Sequence, residues 1–180
     1  MNSIELIIED IIHALDGRAF ITALQTTLTL PDICSTLELG ENDDKKHGKG
    51  DRYAKWYDTY VKKDHDFLNG NTCWKFRCSL LHEGSGYFEP VYTELGTHTG
   101  RVLFVCSGET SEYKGLIHNN MINEAVQLDV DTFCRQMIEA VRKWNDSARN
   151  TDNYKNNIEK TVGIYPNGLA GYINGVTCIG

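Results

Sequence analysis

The run from Cys73 to Gly84 constrains the fold most, because it has the pattern of an amphipathic helix with an arginine on its apolar side. At about 100° per residue, one broad arc of this helix holds Cys73, Trp74, Phe76, Cys78, Leu80 and Leu81. Arg77 falls near the middle of that arc, and His82 lies at its border. Burying a guanidinium costs several kcal/mol unless it is paired or meets an anion. The sequence therefore predicts a specific partner for Arg77.

Two explanations of this arginine follow from the residues. In the first, Arg77 pairs with a carboxylate of the same chain, supplied by Asp32, Asp58 or Glu83, while His82 caps the end of its own helix. In the second, the arginine faces the phosphate of a nucleic acid, since a guanidinium binds phosphate through forked hydrogen bonds. The pattern leaves both explanations open.

An arginine and a histidine separated by four residues, on a helix that ends at glycine, resemble the R-x4-6-H motif of the HEPN superfamily. The members are small helical-bundle proteins, and many are metal-independent ribonucleases of toxin, CRISPR and phage-defence systems. The resemblance extends over residues 1–85 and the helix near 130–148. It implies a HEPN-like helical bundle and an endoribonuclease that needs neither a metal nor a cofactor.

The resemblance also implies roles for the two motif residues. Arg77 would hold the scissile phosphate, and His82 would act as general acid and base that activates the 2′-hydroxyl of RNA. Positions five apart on a helix lie about 140° apart around the axis and about 7.5 Å apart along it. We therefore expect no close Arg77–His82 pair within one chain, and a composite site across the axis of a homodimer.

Arg52 and Cys78 are the candidate substrate-binding residues. Arg52 would supply a second cation, and Cys78 follows Arg77 directly, at a position that is polar in many family members. The non-polar Cys78 and the net charge of −7 favour a different function. In that alternative, the chain is a non-catalytic HEPN-like module that dimerises or binds a protein or a nucleotide.

Composition predicts one globular domain. The chain has 180 residues, of which 41% are hydrophobic and 24% charged, and an excess of acidic groups argues against broad binding to the phosphates of nucleic acid. No apolar run approaches the roughly 20 residues of a membrane helix, and the N-terminus lacks the basic region of a signal peptide. We expect a cytoplasmic protein without membrane contact.

The cysteines do not predict a metal site. The six cysteines include no C-x-x-C pair, so zinc-ribbon and thioredoxin-type motifs are not indicated. Cys78 and His82 lie one turn apart on the motif helix and are the pair that a metal could use. Scattered cysteines in a cytoplasmic chain are more often small core residues, and no metal ligand is predicted.

Helical periodicity predicts four further helices. They cover residues 3–24, with Gly17 as a bend or a division, then about 30–39, 51–62 and about 131–148. The third carries the aromatic stripe of Tyr53, Trp56, Tyr57 and Tyr60, which indicates core packing, with stacking on bases as the alternative. Residues 145–160 read as a linker or a frayed helix end, and His65 and His118 fall in predicted loops.

Strand-like patterns follow the motif helix. Residues 88–95 and 101–106 flank a Gly-bounded loop and predict a β-hairpin. The Gly-rich tail would add a short hairpin or serve as an arm on a partner. The predicted fold is therefore mainly α: a HEPN-like bundle over residues 1–160 with a β-hairpin inserted at about 88–106, followed by a tail at 161–180.

Overall fold

The architecture is mainly helical. A computed structural model describes residues 3–40, 43, 47–92, 96–106 and 118–180. Its α-helices, in chain order, are α1 (Ser3–Asp16), α2 (Phe20–Thr27), α3 (Leu30–Leu37), α4 (Lys49–Tyr60), α5 (Gly70–Glu83), α6 (Val130–Ala148) and α7 (Asp152–Ile158). The predicted mainly α class is confirmed, whereas the HEPN-like identity of the bundle stays a prediction.

The first predicted helix is divided in two. Its apolar residues recur every three or four positions in α1, where Ile4, Ile8 and Ile11 are fully buried. Helix α1 ends at Asp16, and Arg18 then takes a left-handed backbone with φ of 58°. The break lies beside Gly17, where the sequence predicted a bend or a division. It lets α2 fold back so that it contacts both α1 and α6.

A four-stranded mixed sheet lies after α5. Its strands are β1 (Tyr87–Tyr92), β2 (His98–Val105), β3 (Asn120–Ile122) and β4 (Ala125–Asp129), arranged in the order β1-β2-β4-β3. β1 and β2 form the predicted antiparallel hairpin, and β4 lies parallel to β2 with Val102 opposite Val126. The prediction of a lone hairpin was wrong, because residues 125–129 extend the sheet instead of only leading into the last long helix.

One face of the sheet joins the helical core. Val102, Val126 and Leu128 are buried, whereas Leu103, which points the other way on β2, is 38% exposed. Phe104 connects the layers, because its ring centroid lies 5.6 Å from that of Phe76 on α5 and 5.1 Å from that of Phe133 on α6. The sheet thus covers a side of α5 that the other helices leave open.

The chain continues as a helix where the sequence predicted a linker. Thr151 caps α7 by accepting a hydrogen bond from the Tyr154 backbone at 3.3 Å. The buried Tyr154 ring lies 5.9 Å from the ring of Trp144. The prediction of an irregular 145–160 segment was therefore wrong, because tertiary packing orders this polar sequence.

The tail forms four short strands, β5 (Ile164–Tyr165), β6 (Gly168–Leu169), β7 (Ile173–Asn174) and β8 (Cys178–Ile179). β5 pairs with β8, and β6 pairs with β7, both antiparallel. The predicted tail hairpin is therefore present.

Within the described residues, no helix has the length and apolar character that crossing a membrane requires.

Candidate functional site

Helix α5 positions the two motif residues. Asn69 caps its start by accepting a hydrogen bond from the Thr72 N–H at 2.9 Å, and Gly84 ends it in a left-handed backbone with φ of 65°. The Gly84 N–H binds the Leu80 carbonyl at 3.2 Å. The backbone at Gly84 therefore closes the helix, and the His82 side chain is not required for that role.

The Arg77 guanidinium is engaged on several sides. Its Nη2 lies 2.6 Å from Asp32 Oδ2, and the Arg77 and Asp32 side chains are only 17% and 24% exposed. The Arg77 carbon Cζ lies 5.1 Å from the centre of the Trp74 ring, a cation–π contact. Asp32 is one of the three carboxylates that the sequence offered, so the internal pairing predicted by the first explanation is present.

The other two candidate carboxylates lie elsewhere. Asp58 Oδ1 accepts a hydrogen bond from the Gly70 N–H at 2.7 Å, which fixes the start of α5 against α4. Glu83 is exposed near the end of α5. Asp32 is the partner because α3 packs so that this carboxylate lies beside Arg77 of α5.

Arg77 and His82 do come together in one chain. Arg77 Nη1 lies 3.4 Å from His82 Nε2, and this weak contact fits an N–H of Arg77 pointing at the ring nitrogen of a neutral imidazole. The expectation that one chain keeps them apart was wrong, because it measured backbone positions and ignored the length of the arginine side chain. A composite dimer site is thus not needed to bring the two residues together.

Charged groups other than Arg77 also affect the Asp32 carboxyl. Partial burial raises the pKa of the Asp32 carboxyl above its usual 3.8, and the positive charges of Arg77, Lys49 and Arg52 oppose that rise. Burial therefore outweighs the cations here, even though the ion pair with Arg77 is short. Arg52 and Arg77 approach the same carboxylate.

The two candidate substrate-binding residues have different surroundings. Cys78 is a half-buried free thiol on α5. Arg52 is half-buried on α4, where its Nη1 donates to the His47 carbonyl at 2.9 Å, and it lines a cavity beside α3. The structure thus places Arg52, but not Cys78, in a concave site.

The cavity lies between the end of α3 and the outer face of α4, and we call it the α3–α4 cavity. Its volume is about 490 Å³, within the usual range for small-molecule sites. It is lined by Ser35, Glu38, Leu39, Asp43, His47, Asp51, Arg52, Lys55, Trp56, Thr59 and Tyr60.

The aromatic stripe on α4 is divided between the core and this cavity. Tyr53 and Tyr57 are fully buried, as core packing predicts. Trp56 and Tyr60 line the cavity and form a tilted ring pair with centroids 5.1 Å apart. Trp56 is only 3% exposed, and its buried Nε1–H has no hydrogen-bond partner among the described residues. Because this nitrogen is closed off from the cavity as well, the wall offers a ligand its aromatic rings and not the indole N–H.

The polar groups of the cavity carry both signs of charge. Arg52 and Lys55 line the cavity together with the carboxylates of Glu38, Asp43 and Asp51. Glu38 Oε1 also accepts a hydrogen bond from Trp144 Nε1 at 2.6 Å. Burial, together with the nearby Glu38, raises the pKa of Tyr60, so its hydroxyl stays protonated at neutral pH. In the described parts of the chain, no group of three or more His, Cys, Asp or Glu side chains is placed to hold a metal ion.

Sequence reasoning found part of this site. It singled out Arg52 and the Trp56–Tyr60 stripe, but it missed Lys55 and Glu38, whose roles depend on the packing of two helices. The only available signal was the polar flank of the aromatic stripe.

No protein-family model, no curated protein and no solved structure matches this chain.

Proposed function

We propose that this protein is a non-catalytic binding module that takes a nucleoside or a nucleoside monophosphate in the α3–α4 cavity. The observation that carries the proposal is the tilted pair of Trp56 and Tyr60 rings on the wall of a cavity of about 490 Å³ that is also lined by Arg52 and Lys55. A heterocyclic base offers a flat face to this aromatic wall.

The charges of the cavity define the rest of the ligand. Carboxylates such as Asp51 can accept hydrogen bonds from ribose hydroxyls, and Arg52 and Lys55 can bind one phosphate. Three carboxylates against two cations leave the lining with net negative charge when His47 is neutral. A triphosphate, with several negative charges, would therefore be repelled, and we expect a preference for the uncharged or singly phosphorylated ligand.

The state of Arg77 supports a non-catalytic role. Its short contact with Asp32 neutralises the guanidinium, so an incoming phosphate at that point would meet a carboxylate beside the arginine. The chain also carries a net charge of −7, which weakens any general attraction to RNA.

Calorimetric titration with the four common ribonucleosides and their mono- and triphosphates tests the proposal. Tyr60→Leu removes the half-buried ring of the cavity wall, so it should weaken binding of nucleoside and monophosphate alike about tenfold, the equivalent of one aromatic stacking contact. Lys55→Ala should weaken binding of the monophosphate but not of the nucleoside. Lys143→Ala, at an exposed position on α6, is the matched control and should bind like the wild type. The proposal fails if no nucleoside or monophosphate binds the wild-type protein.

A second candidate function is metal-independent RNA cleavage, favoured by the 3.4 Å approach of Arg77 Nη1 to His82 Nε2. A phosphate inserted at Arg77 would lie within reach of His82, which could then move a proton between the 2′-hydroxyl and the leaving oxygen. The ribonuclease of a defence or toxin type that the HEPN resemblance implies stays a hypothesis of this kind.

Incubating a mixed RNA pool with the protein and a chelator tests cleavage. If the second function holds, Arg77→Ala and His82→Ala each abolish cleavage, and the double variant is little worse than either. A wild-type protein that leaves the pool intact would end this hypothesis without touching the first one, since the cavity and Arg77 are tested by different variants.

A further inference from the structure

The α3–α4 cavity has two chemically different ends. The residues of α4 that line it recur every three or four positions, so they share one face of that helix. Arg52 precedes Tyr60 by eight residues, which corresponds to about 12 Å along the helix axis, and Lys55 lies between them. The two cations therefore lie toward one end of the cavity, and the Tyr60 ring lies at the other end.

A carboxylate stands at the Tyr60 end. Burial raises the pKa of Tyr60 most, and the charge of Glu38 is the next cause, so the two side chains lie close together. Glu38 is an exposed residue, but its carboxylate is held in place, because Oε1 accepts the 2.6 Å hydrogen bond from Nε1–H of the fully buried Trp144. Its Oε2 has no hydrogen-bond partner among the described residues. Glu38 therefore presents a fixed acceptor beside the aromatic wall.

Such an acceptor distinguishes the bases by the donors on their edges. An ionised carboxylate only accepts hydrogen bonds, and its two oxygens can accept two parallel ones. Guanine presents two adjacent donors, the ring N1–H and the 2-amino group. Adenine and cytosine place a ring acceptor beside their amino group, and uracil places a carbonyl oxygen on each side of its ring N–H. Each of these three bases would therefore bring a lone pair against the carboxylate.

We infer that the base bound in the α3–α4 cavity is guanine, with its N1–H and 2-amino group donating to Glu38 while Tyr60 stacks on its face. This inference rests on the proposed nucleoside-binding function and adds the identity of the base. The negative charge of Glu38 also repels a phosphate from this end, so the phosphate of a bound monophosphate lies toward Arg52 and Lys55. The ligand thus has a single orientation along α4.

Calorimetric titration of the wild type with the monophosphates of guanosine, inosine and adenosine tests the inference. Guanosine monophosphate should bind at least tenfold more tightly than adenosine monophosphate, because a site built to bind hydrogen-bond donors rejects a ligand that lacks them. Inosine monophosphate, which keeps N1–H and lacks the 2-amino group, should fall between the two. Equal affinities for the three would overturn the inference and leave the proposed function standing, whereas no binding of any nucleoside or monophosphate would end both.

Glu38→Gln tests the residue, since it removes the charge and replaces one acceptor by a donor. It should weaken binding of guanosine monophosphate at least tenfold and change that of adenosine monophosphate by less than about twofold. Glu139→Gln makes the same change at an exposed position on α6 and should keep the full preference for guanine. Melting temperatures of both variants show whether the fold survives, because Glu38 also binds Trp144. A folded Glu38→Gln variant that still prefers guanine, or that loses affinity for both nucleotides equally, would overturn the inference.

Discussion

At the scale of single residues, the contact between Arg77 and Asp32 explains how an arginine is tolerated on the apolar side of a helix. Nη2 of Arg77 meets Asp32 at 2.6 Å, and the Trp74 ring covers the guanidinium. The two charged side chains are too buried for water to replace either partner fully. Removing one should therefore cost more than removing both.

A double-mutant cycle tests this pairing. Arg77→Met should lower the free energy of unfolding by about 2 kcal/mol, less than the roughly 3–5 kcal/mol of a fully buried pair, because water still reaches part of Asp32. Adding Asp32→Leu should recover part of the loss. Urea unfolding at pH 7 measures all three variants.

The control for this cycle is Arg142→Met. Arg142 pairs with Glu5 at 3.4 Å, but their side chains are 52% and 35% exposed. We expect a change within about 0.5 kcal/mol. Strictly additive losses for Asp32→Leu and Arg77→Met would contradict the pairing as a source of stability.

His65 carries the second prediction at this scale. The sequence placed it in a loop, yet it is 1% exposed. Its Nδ1 accepts a 2.6 Å hydrogen bond from the Tyr57 hydroxyl, and its Nε2–H donates to Gln136 Oε1 at 3.0 Å. Burial lowers the pKa of His65 from 6.5 to about 4, while Gln136 opposes and His118 adds to that shift.

The sign of the pH effect follows from this shift. Between pH 6.5 and pH 4 the unfolded chain binds a proton at His65 that the folded chain does not, so stability falls as pH drops through this range. The loss attributable to His65 should reach about 3 kcal/mol. His65→Gln should flatten this part of the stability–pH curve. His13→Gln, at an exposed histidine on α1, should leave it unchanged, and parallel curves for wild type and His65→Gln would refute the assignment.

At the scale of helices and strands, the sequence predicted those elements that are stabilised by contacts between residues close together in the chain. The isoleucine spacing of α1 and the β1–β2 hairpin were readable because their partners lie nearby in sequence or on the same face. Strand β4 was missed because its alternation, with Val126 and Leu128 inward, spans few residues and its parallel partner β2 is distant. Helix α7 was missed because Asn157, which donates to the Leu39 carbonyl at 2.9 Å, helps to hold it from outside.

The candidate site divides in the same way. The need for a charged partner at Arg77 follows from its position on the apolar side of the helix, so the sequence predicted that a partner exists. Which of the three candidate carboxylates pairs with Arg77 depends on how α3 packs near α5, and no local sequence pattern encodes that packing. The α3–α4 cavity was invisible for the same reason, although one of its walls, Trp56 with Tyr60, was noticed as a stripe.

The α4–α5 contact yields a prediction for an element boundary. Gly70, the first residue of α5, lies so close to α4 that an added Cβ would stand 2.5 Å from the Ala54 Cα. Gly70→Ala should therefore force the helices apart and lower the free energy of unfolding by about 2–3 kcal/mol. Thermal unfolding followed by circular dichroism measures it.

Gly86→Ala is the matched control, since the atom nearest to its added Cβ is the Val102 carbonyl oxygen at 4.0 Å. We expect less than about 0.5 kcal/mol of change there. Equal effects at Gly70 and Gly86 would show that backbone entropy, rather than the helix contact, sets the cost.

At the scale of the whole molecule, the sheet changes how the broad apolar arc of α5 is understood. The HEPN resemblance implied a homodimer in which two motif helices meet across the dimer axis. Instead, α5 contacts α4, α2 and β1 of its own chain, and Ser79 Oγ donates to the Tyr87 carbonyl on β1. The arc alone therefore gives no reason for a dimer on α5.

The last prediction is that the body of the protein, residues 3–162, folds independently of the tail hairpin formed by residues 163–180. A chain that ends at Val162 keeps the hydrogen bond of 2.8 Å from Thr161 Oγ1 to Ser3 Oγ and loses no residue of the described core. Its melting temperature should stay within about 2 °C of the wild-type value, since about 1 kcal/mol corresponds to 2–4 °C at this size. Tryptophan fluorescence reports the body alone, because Trp56, Trp74 and Trp144 all precede the cut. A truncated monomer that melts more than about 5 °C lower would mean that the hairpin stabilises the bundle and is part of one folding unit with it.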